Sequence, residues 1–216
     1  MKTQTRQFFK TALLLGLLIT GCIKPSSPYD LGNRVLELEN YQRAISYYRV
    51  ALDKDPADNR ARNNLGVAYL RNKEYDLAFK EFQKVIATDP QNPKAHFNLA
   101  LVYYARGLFK QEIQEYQNTI RLDPAHFTAH LNLGHAYLAQ GQEELAQKEY
   151  EWILDKDPNN AQVTYNLAMI YMRHKKEQEA AVLLERYLKM DPRSTWTEKA
   201  RNYLEKLKGN PTQTHP

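Results

Sequence analysis

The sequence predicts an all-α fold, an α-solenoid of five helix-turn-helix units closed by one further helix, and three observations carry that reading. Asp-Pro pairs recur at Asp55-Pro56, Asp89-Pro90, Asp123-Pro124, Asp157-Pro158 and Asp191-Pro192, each 34 residues after the last and without an insertion. Within each unit apolar residues return at helical spacing in two runs of about 13 residues, broken near position 15. A capped amphipathic segment follows the last pair. A single hairpin cannot bury both of its faces, so neighbouring units must stack.

Aligned on the prolines, the units are 25–58, 59–92, 93–126, 127–160 and 161–194. Their seventh positions hold Leu31, Leu65, Leu99, Leu133 and Leu167, and their eighth Gly32, Gly66, Ala100, Gly134 and Ala168. Position 11 carries Val35, Tyr69, Tyr103, Tyr137 and Tyr171. Position 20 carries Ala44, Ala78, Glu112, Ala146 and Ala180, and position 24 Tyr48, Phe82, Tyr116, Tyr150 and Leu184. The expected packing brings the small residue at 8 against Ala at 20, with the larger residues at 11 and 24 filling the space above and below. Gly107 and Gly141 mark the break between helices in units 3 and 4, and Asn40 lies near it in unit 1. The Asp-Pro proline ends each second helix, because it lacks an N–H and disfavours helix in the residue before it.

These residues resemble the tetratricopeptide (TPR) repeat over 25–192. The resemblance implies a superhelix whose inner groove, lined mainly by the first helix of each unit, binds protein partners. Ser27-Pro28 reads as the cap and first residue of the stack, giving repeats over 28–194. At the far end Thr195-Trp-Thr-Glu198 reads as a capping box opening a helix over 195–208, with Ala200, Tyr203, Leu204 and Leu207 covering the stack. Residues 209–216 read as a disordered polar tail.

The N-terminus reads as a signal peptide over residues 1–21. Lys2, Arg6 and Lys10 precede the apolar run Ala12–Ile19, too short to span a bilayer. Ile19-Thr20-Gly21-Cys22 resembles the bacterial lipobox, which implies a diacylglycerol thioether on Cys22, the only cysteine in the chain, and a tether over 22–27. Ile23 at the following position implies the outer membrane, facing the periplasm. Removing residues 1–21 takes the formal charge from +5 to +2, so there is no reason to expect a nucleic-acid surface.

Chemistry is scarce. Fifteen tyrosines fall mostly on positions that need bulk. The six histidines include no HExxH pattern, Gly-rich phosphate loops are missing, and the lone cysteine is assigned to lipid. No catalytic residue, metal site or cofactor beyond the lipid is expected.

The informative surface is the groove. Asn64, Asn98, Asn132 and Asn166 share position 6, where each amide suits either an extended peptide backbone or packing between repeats. Arg60, Arg71 and Lys94 make one end basic; Phe97, Leu101, Tyr104, Leu131, Leu138, Tyr165, Met169 and Met172 make the rest apolar. The partner so described enters as a peptide or helix with acidic residues leading into apolar ones. The carboxylate clamp of the chaperone-binding branch is matched at Asn33, Asn64 and Lys94 and departed from at Tyr29 and Asn98. Glu112 departs from the repeat, taking the small-residue position opposite Ala100. Its expected course is to snorkel to the edge through the room Ala100 leaves; the alternative is a loosening between repeats 3 and 4.

The sequence therefore describes a membrane-anchored scaffold for envelope assembly. Its architecture resembles that of repeat lipoproteins that help assemble type IV pili and their secretin. The alternative is an adaptor lipoprotein that recruits or regulates a cell-wall hydrolase or envelope protease.

Overall fold

A computed structural model describes residues 27–209, and among these every regular element is an α-helix. The hairpins are α1 (Pro28–Glu37) with α2 (Tyr41–Lys54), α3 (Asn59–Arg71) with α4 (Tyr75–Thr88), and α5 (Pro93–Ala105) with α6 (Phe109–Leu122). Two more follow, α7 (Phe127–Ala139) with α8 (Glu143–Lys156) and α9 (Ala161–Arg173) with α10 (Glu177–Met190), then the single helix α11 (Thr197–Gly209). The signal-peptide and Cys22 readings, and the tail beyond residue 209, lie outside the described residues. None of the described helices is long and apolar enough to cross a membrane.

Each first helix starts on a side-chain cap at position 34 of the preceding unit. Asp58, Asn92, His126 and Asn160 accept from N–H groups of the first turn, as Ser27 does in a capping box with Asp30. Just before these caps the Asp-Pro corner closes on itself: Asp55, Asp123 and Asp157 carboxylates accept from the backbone N–H two residues on, at 3.1–3.2 Å.

The turn between helices of a hairpin is the same in all five units. Position 15 adopts the left-handed conformation, in Glu39, Lys73 and Lys175 as well as in Gly107 and Gly141. The next N–H then reaches back to the position-11 carbonyl at 2.9 Å in every unit, and the position-15 N–H bonds the position-12 carbonyl. This is a Schellman closure repeated five times. In unit 1 Asn40 lies next to the break, as expected: Glu39 makes the turn and Asn40 caps α2, accepting from the Arg43 N–H. A left-handed residue with a Cβ costs about 1–2 kcal/mol, part of which glycine returns as chain entropy. Lys73→Gly is expected to raise stability by about 0.5–1 kcal/mol, and Gly141→Ala to lower it by about 1 kcal/mol, in urea melts.

Close packing within a hairpin differs from the expected pairing of positions 8 and 20. A methyl on Gly32, Gly66 or Gly134 would lie 2.6 Å from the ring at position 24, of Tyr48, Phe82 or Tyr150 respectively. The glycines make room for an aromatic ring lying flat on the first helix, because only a missing Cβ lets ring and backbone touch. The alanines at position 20 are fully buried beside this contact.

Position 4 locks the hairpin to the preceding corner. His96 and His130 each hold a glutamate on the paired helix through Nδ1 at 2.6 Å, Glu115 and Glu149 respectively. Their Nε2 atoms face the Pro90 and Pro124 carbonyls at 3.1 Å. A carbonyl only accepts, so Nε2 donates there. Arg62 repeats the device in unit 2, bonding Glu81 and the Pro56 carbonyl.

The core runs through the stack as three clusters that meet in repeats 3 and 5. Leu99 and Val102 of α5 belong to the cluster that runs through repeats 1 and 2, whereas Ala100 and Tyr116 belong to the one that continues into repeats 4 and 5. The discontinuity thus falls inside repeat 3. The third cluster buries Ala200 of α11 against Leu184 and Tyr187, with Tyr203, Leu204 and Leu207 packed on it. α11 begins two residues later than the sequence suggested. Thr195 and Trp196 belong to the turn, where the Ser194 hydroxyl accepts from the Trp196 N–H and Thr197 donates its hydroxyl to the Asp191 carbonyl.

Candidate functional site

The first helices of repeats 1, 2 and 3 touch one another directly, while each second helix packs on its own partner and on the first helix of the next unit. The first helices therefore line the inner face, and the asparagines of position 6 point across it between repeats.

Three of the four amides bond within the stack. Asn64 donates to Asn33 at 2.9 Å and to the Tyr29 hydroxyl at 3.4 Å, while Tyr48 donates to the same Asn33 oxygen at 2.7 Å. Asn132 donates to the Tyr116 hydroxyl at 3.1 Å. Phe82 offers no hydroxyl at the corresponding place, and Asn98 turns to Asn63 at 3.1 Å instead. Asn166 stands beside Tyr150, whose buried hydroxyl is left without a partner within bonding distance. Burial pushes the Tyr48 and Tyr150 hydroxyls up to about 12, and that of Tyr116 higher still, so these groups remain neutral. The ladder stitches successive hairpins, and Asn98 and Asn132, with one N–H bonded, keep a second N–H and the amide oxygen for a bound segment.

Between repeats 3 and 4 the inner face opens into a cavity of about 440 Å³. Leu101 and Tyr104 of α5, Phe109, Glu112 and Tyr116 of α6, and Asn132, His135, Ala136 and Ala139 of α7 line it. Tyr104 is 64% exposed and Phe109 42%, so the rim is apolar and open. Glu112 does not snorkel. It is 3% exposed, and its Oε2 is buried without a hydrogen-bond partner. Its side chain lies against the inner wall of the cavity, away from the exposed rim of Tyr104 and Phe109. Burial alone raises its pKa to about 7. Burial likewise lowers that of His135, which faces the cavity from α7.

The structure gathers some predicted groove residues and separates others. Leu101, Tyr104 and Asn132 meet at the cavity. Phe97 is half-buried, stacked on His126 at 4.7 Å and tilted against Tyr116 at 5.8 Å. Tyr165 is buried, not open in the groove: Trp196 and Tyr187 flank it at 5.4 and 5.2 Å, because the late start of α11 leaves Trp196 free to cover it. Together with Asn166 and Gln162 these rings bound a smaller hollow of about 260 Å³. Arg60 lies at the other end, over the Tyr29 ring at 5.4 Å and 3.4 Å from the Asp58 carboxylate, so part of its charge is answered locally. Arg71 and Lys94 are exposed and line none of these hollows. His135 and Phe109 were missed by the sequence reading; position 9 on a groove helix was the available signal for the first.

A tetratricopeptide-repeat model matches residues 29–93 and 131–195, more than half of the chain. This chain belongs to the tetratricopeptide repeat family. Two further repeat models of that family match residues 81–114 and 102–141, covering the middle of the stack. Solved structures share the fold. The crystal structure of MamA is 20% identical with a TM-score of 0.68, over 80% of this chain and 98% of that one. YrrB, described as a TPR protein with an unusual peptide-binding site, is 19% identical with a TM-score of 0.68, over 81% and 90%. TTC0263, a thermophilic TPR protein in Thermus thermophilus, is 20% identical with a TM-score of 0.57, over 85% and 98%. No curated protein matches by sequence. A TPR stack of this kind is a scaffold for protein–protein contacts.

Proposed function

We propose that this TPR protein is a lipid-anchored scaffold at the periplasmic side of a bacterial outer membrane, seating a peptide or helix of a partner on its inner face during envelope assembly. The observation that carries the seat is the open cavity between repeats 3 and 4 with exposed Tyr104 and Phe109 at its rim. An apolar hollow on the inner face of a stack gives a partner segment something to bury, and the remaining donors and acceptors of the asparagine ladder fix its orientation.

The anchor reading rests on Ile19-Thr20-Gly21-Cys22. Ile23 to Ser27 separate Cys22 from the first residue of α1, and five residues reach at most roughly 17 Å. Lipid on Cys22 therefore keeps the first repeat close to the bilayer. Assembly of a pilus secretin is the finer reading that this architecture supports by resemblance.

Two measurements test the proposal. Metabolic labelling with an alkynyl fatty acid is expected to mark the wild type and not Cys22→Ser; equal labelling of both would refute the anchor. A photo-crosslinking residue placed at Tyr104 is expected to capture a partner from intact cells, and one at Val182, exposed on α10, is not. Equal capture at both positions would place binding elsewhere. Capture of a hydrolase or protease instead of a pilus component would favour the adaptor role.

A further inference from the structure

The cavity contains a chemical contradiction that the stack alone does not resolve. Eight of its nine lining side chains are apolar, aromatic or neutral amide, imidazole and hydroxyl groups, and the ninth is Glu112. No lysine or arginine lines it. Glu112 is only 3% exposed, and Oε2 has no hydrogen-bond partner. A carboxylate placed this way is costly in the isolated protein, and the four sister repeats hold alanine at the same position.

We propose that the cavity receives a lysine side chain of the partner segment, with Glu112 as the counter-ion of its ammonium group; this rests on the groove reading above. The shape suits an alkyl stem ending in a cation. Leu101, Ala136 and Ala139 offer apolar walls for methylenes, and the exposed Tyr104 ring offers a face to an ammonium. Asn132, its amide committed to the Tyr116 hydroxyl, keeps Oδ1 as a second acceptor. The pairing removes both penalties together: the ammonium loses water but gains a carboxylate, and the carboxylate gains the partner it lacks. Truncating either half leaves the other buried and unpaired, which makes the site discriminate strongly against neutral side chains.

The pH behaviour follows from the groups that face Glu112. From α5 these are Tyr104, from its own helix Tyr116, and from α7 His135. Burial keeps Tyr116 neutral across the working range. In acid Glu112 takes up a proton and His135 a positive charge, and both changes disfavour an ammonium.

The test uses n-butylamine as the lysine side-chain probe and n-butanol as its neutral counterpart, followed by carbon NMR of Glu112 in the labelled protein. At about pH 8 the amine is expected to bind at least roughly tenfold more tightly than the alcohol and to shift the Glu112 carboxyl signal; near pH 5.5 its affinity should fall by roughly tenfold or more, as the ionised fraction falls. Glu112→Gln should erase the preference for amine, and Val182→Thr, exposed on α10 away from the cavity, should retain it. Amine and alcohol binding alike, or a Glu112 signal that stays still while amine binds, would overturn the proposal. Both readouts come from the wild type, so they hold even if a variant folds poorly. Capture through Tyr104 with no amine preference would sink the lysine site alone; amine binding without capture through Tyr104 would sink the groove reading alone.

Discussion

Glu112→Ala raises the melting temperature at about pH 8 and brings no comparable gain near pH 4.5. In the unfolded chain this carboxyl titrates near its ordinary value of 4.5, whereas burial in the cavity lifts it to about 7. Between those values the folded protein holds a proton that the unfolded chain has released, so folding stability falls as pH rises. Its contribution is complete below 4.5 and lost once the pH passes about 7. A shift of this size corresponds to about 3 kcal/mol, which for a domain of this length is roughly 5–10 °C. The difference between the wild-type and alanine profiles isolates the term, because every other titrating group is common to both. Packing loss is small, since the side chain already borders a void, and alanine is the better helix former. A melting temperature that drops in the alanine variant at both pH values would show that the carboxylate is a structural partner instead.

Gly134→Ala is expected to cost about 1–3 kcal/mol despite alanine's higher helix propensity. The added methyl meets Tyr150 at 2.6 Å, and that ring is fully buried, so neither side has room to give. Repeat 5 shows the compensating choice, Ala168 at position 8 facing Leu184 at position 24. Tyr150→Leu should therefore recover much of the loss in the Gly134→Ala background, a coupling of about 1–3 kcal/mol in a double-mutant cycle by urea unfolding. Additive effects would show that ring and glycine do not compete for the same space. Repeat 3 is instructive here. It combines Ala100 with Tyr116, and it is also the hairpin that carries Glu112 and borders the cavity.

Much of the stack was legible in the chain because periodicity is a local property. The Asp-Pro corners at 34-residue steps mark where second helices stop, and proline acts through its own ring and the residue before it. The hairpin turns were less legible. Gly107 and Gly141 announce a left-handed residue, but Glu39, Lys73 and Lys175 take the same conformation because the neighbouring helices impose it. The histidines divide in the same way. Their absence from any metal motif could be read directly, whereas the locks made by His96 and His130 need a glutamate on the paired helix and a carbonyl from the preceding corner.

The groove shows the sharper division. Sequence alone established that asparagines recur on one helical face and that Glu112 breaks the pattern at the small-residue position. Tertiary structure decided what each does, because an amide's donors go to whichever acceptor lies within about 3 Å, and that neighbour comes from another repeat. It sent Asn132 to Tyr116, closed Tyr165 beneath Trp196, and left Glu112 buried at the cavity wall with Oε2 unpartnered. Repetition is written in the chain and determines the stack. The chemistry of its inner face arises only where unlike repeats meet.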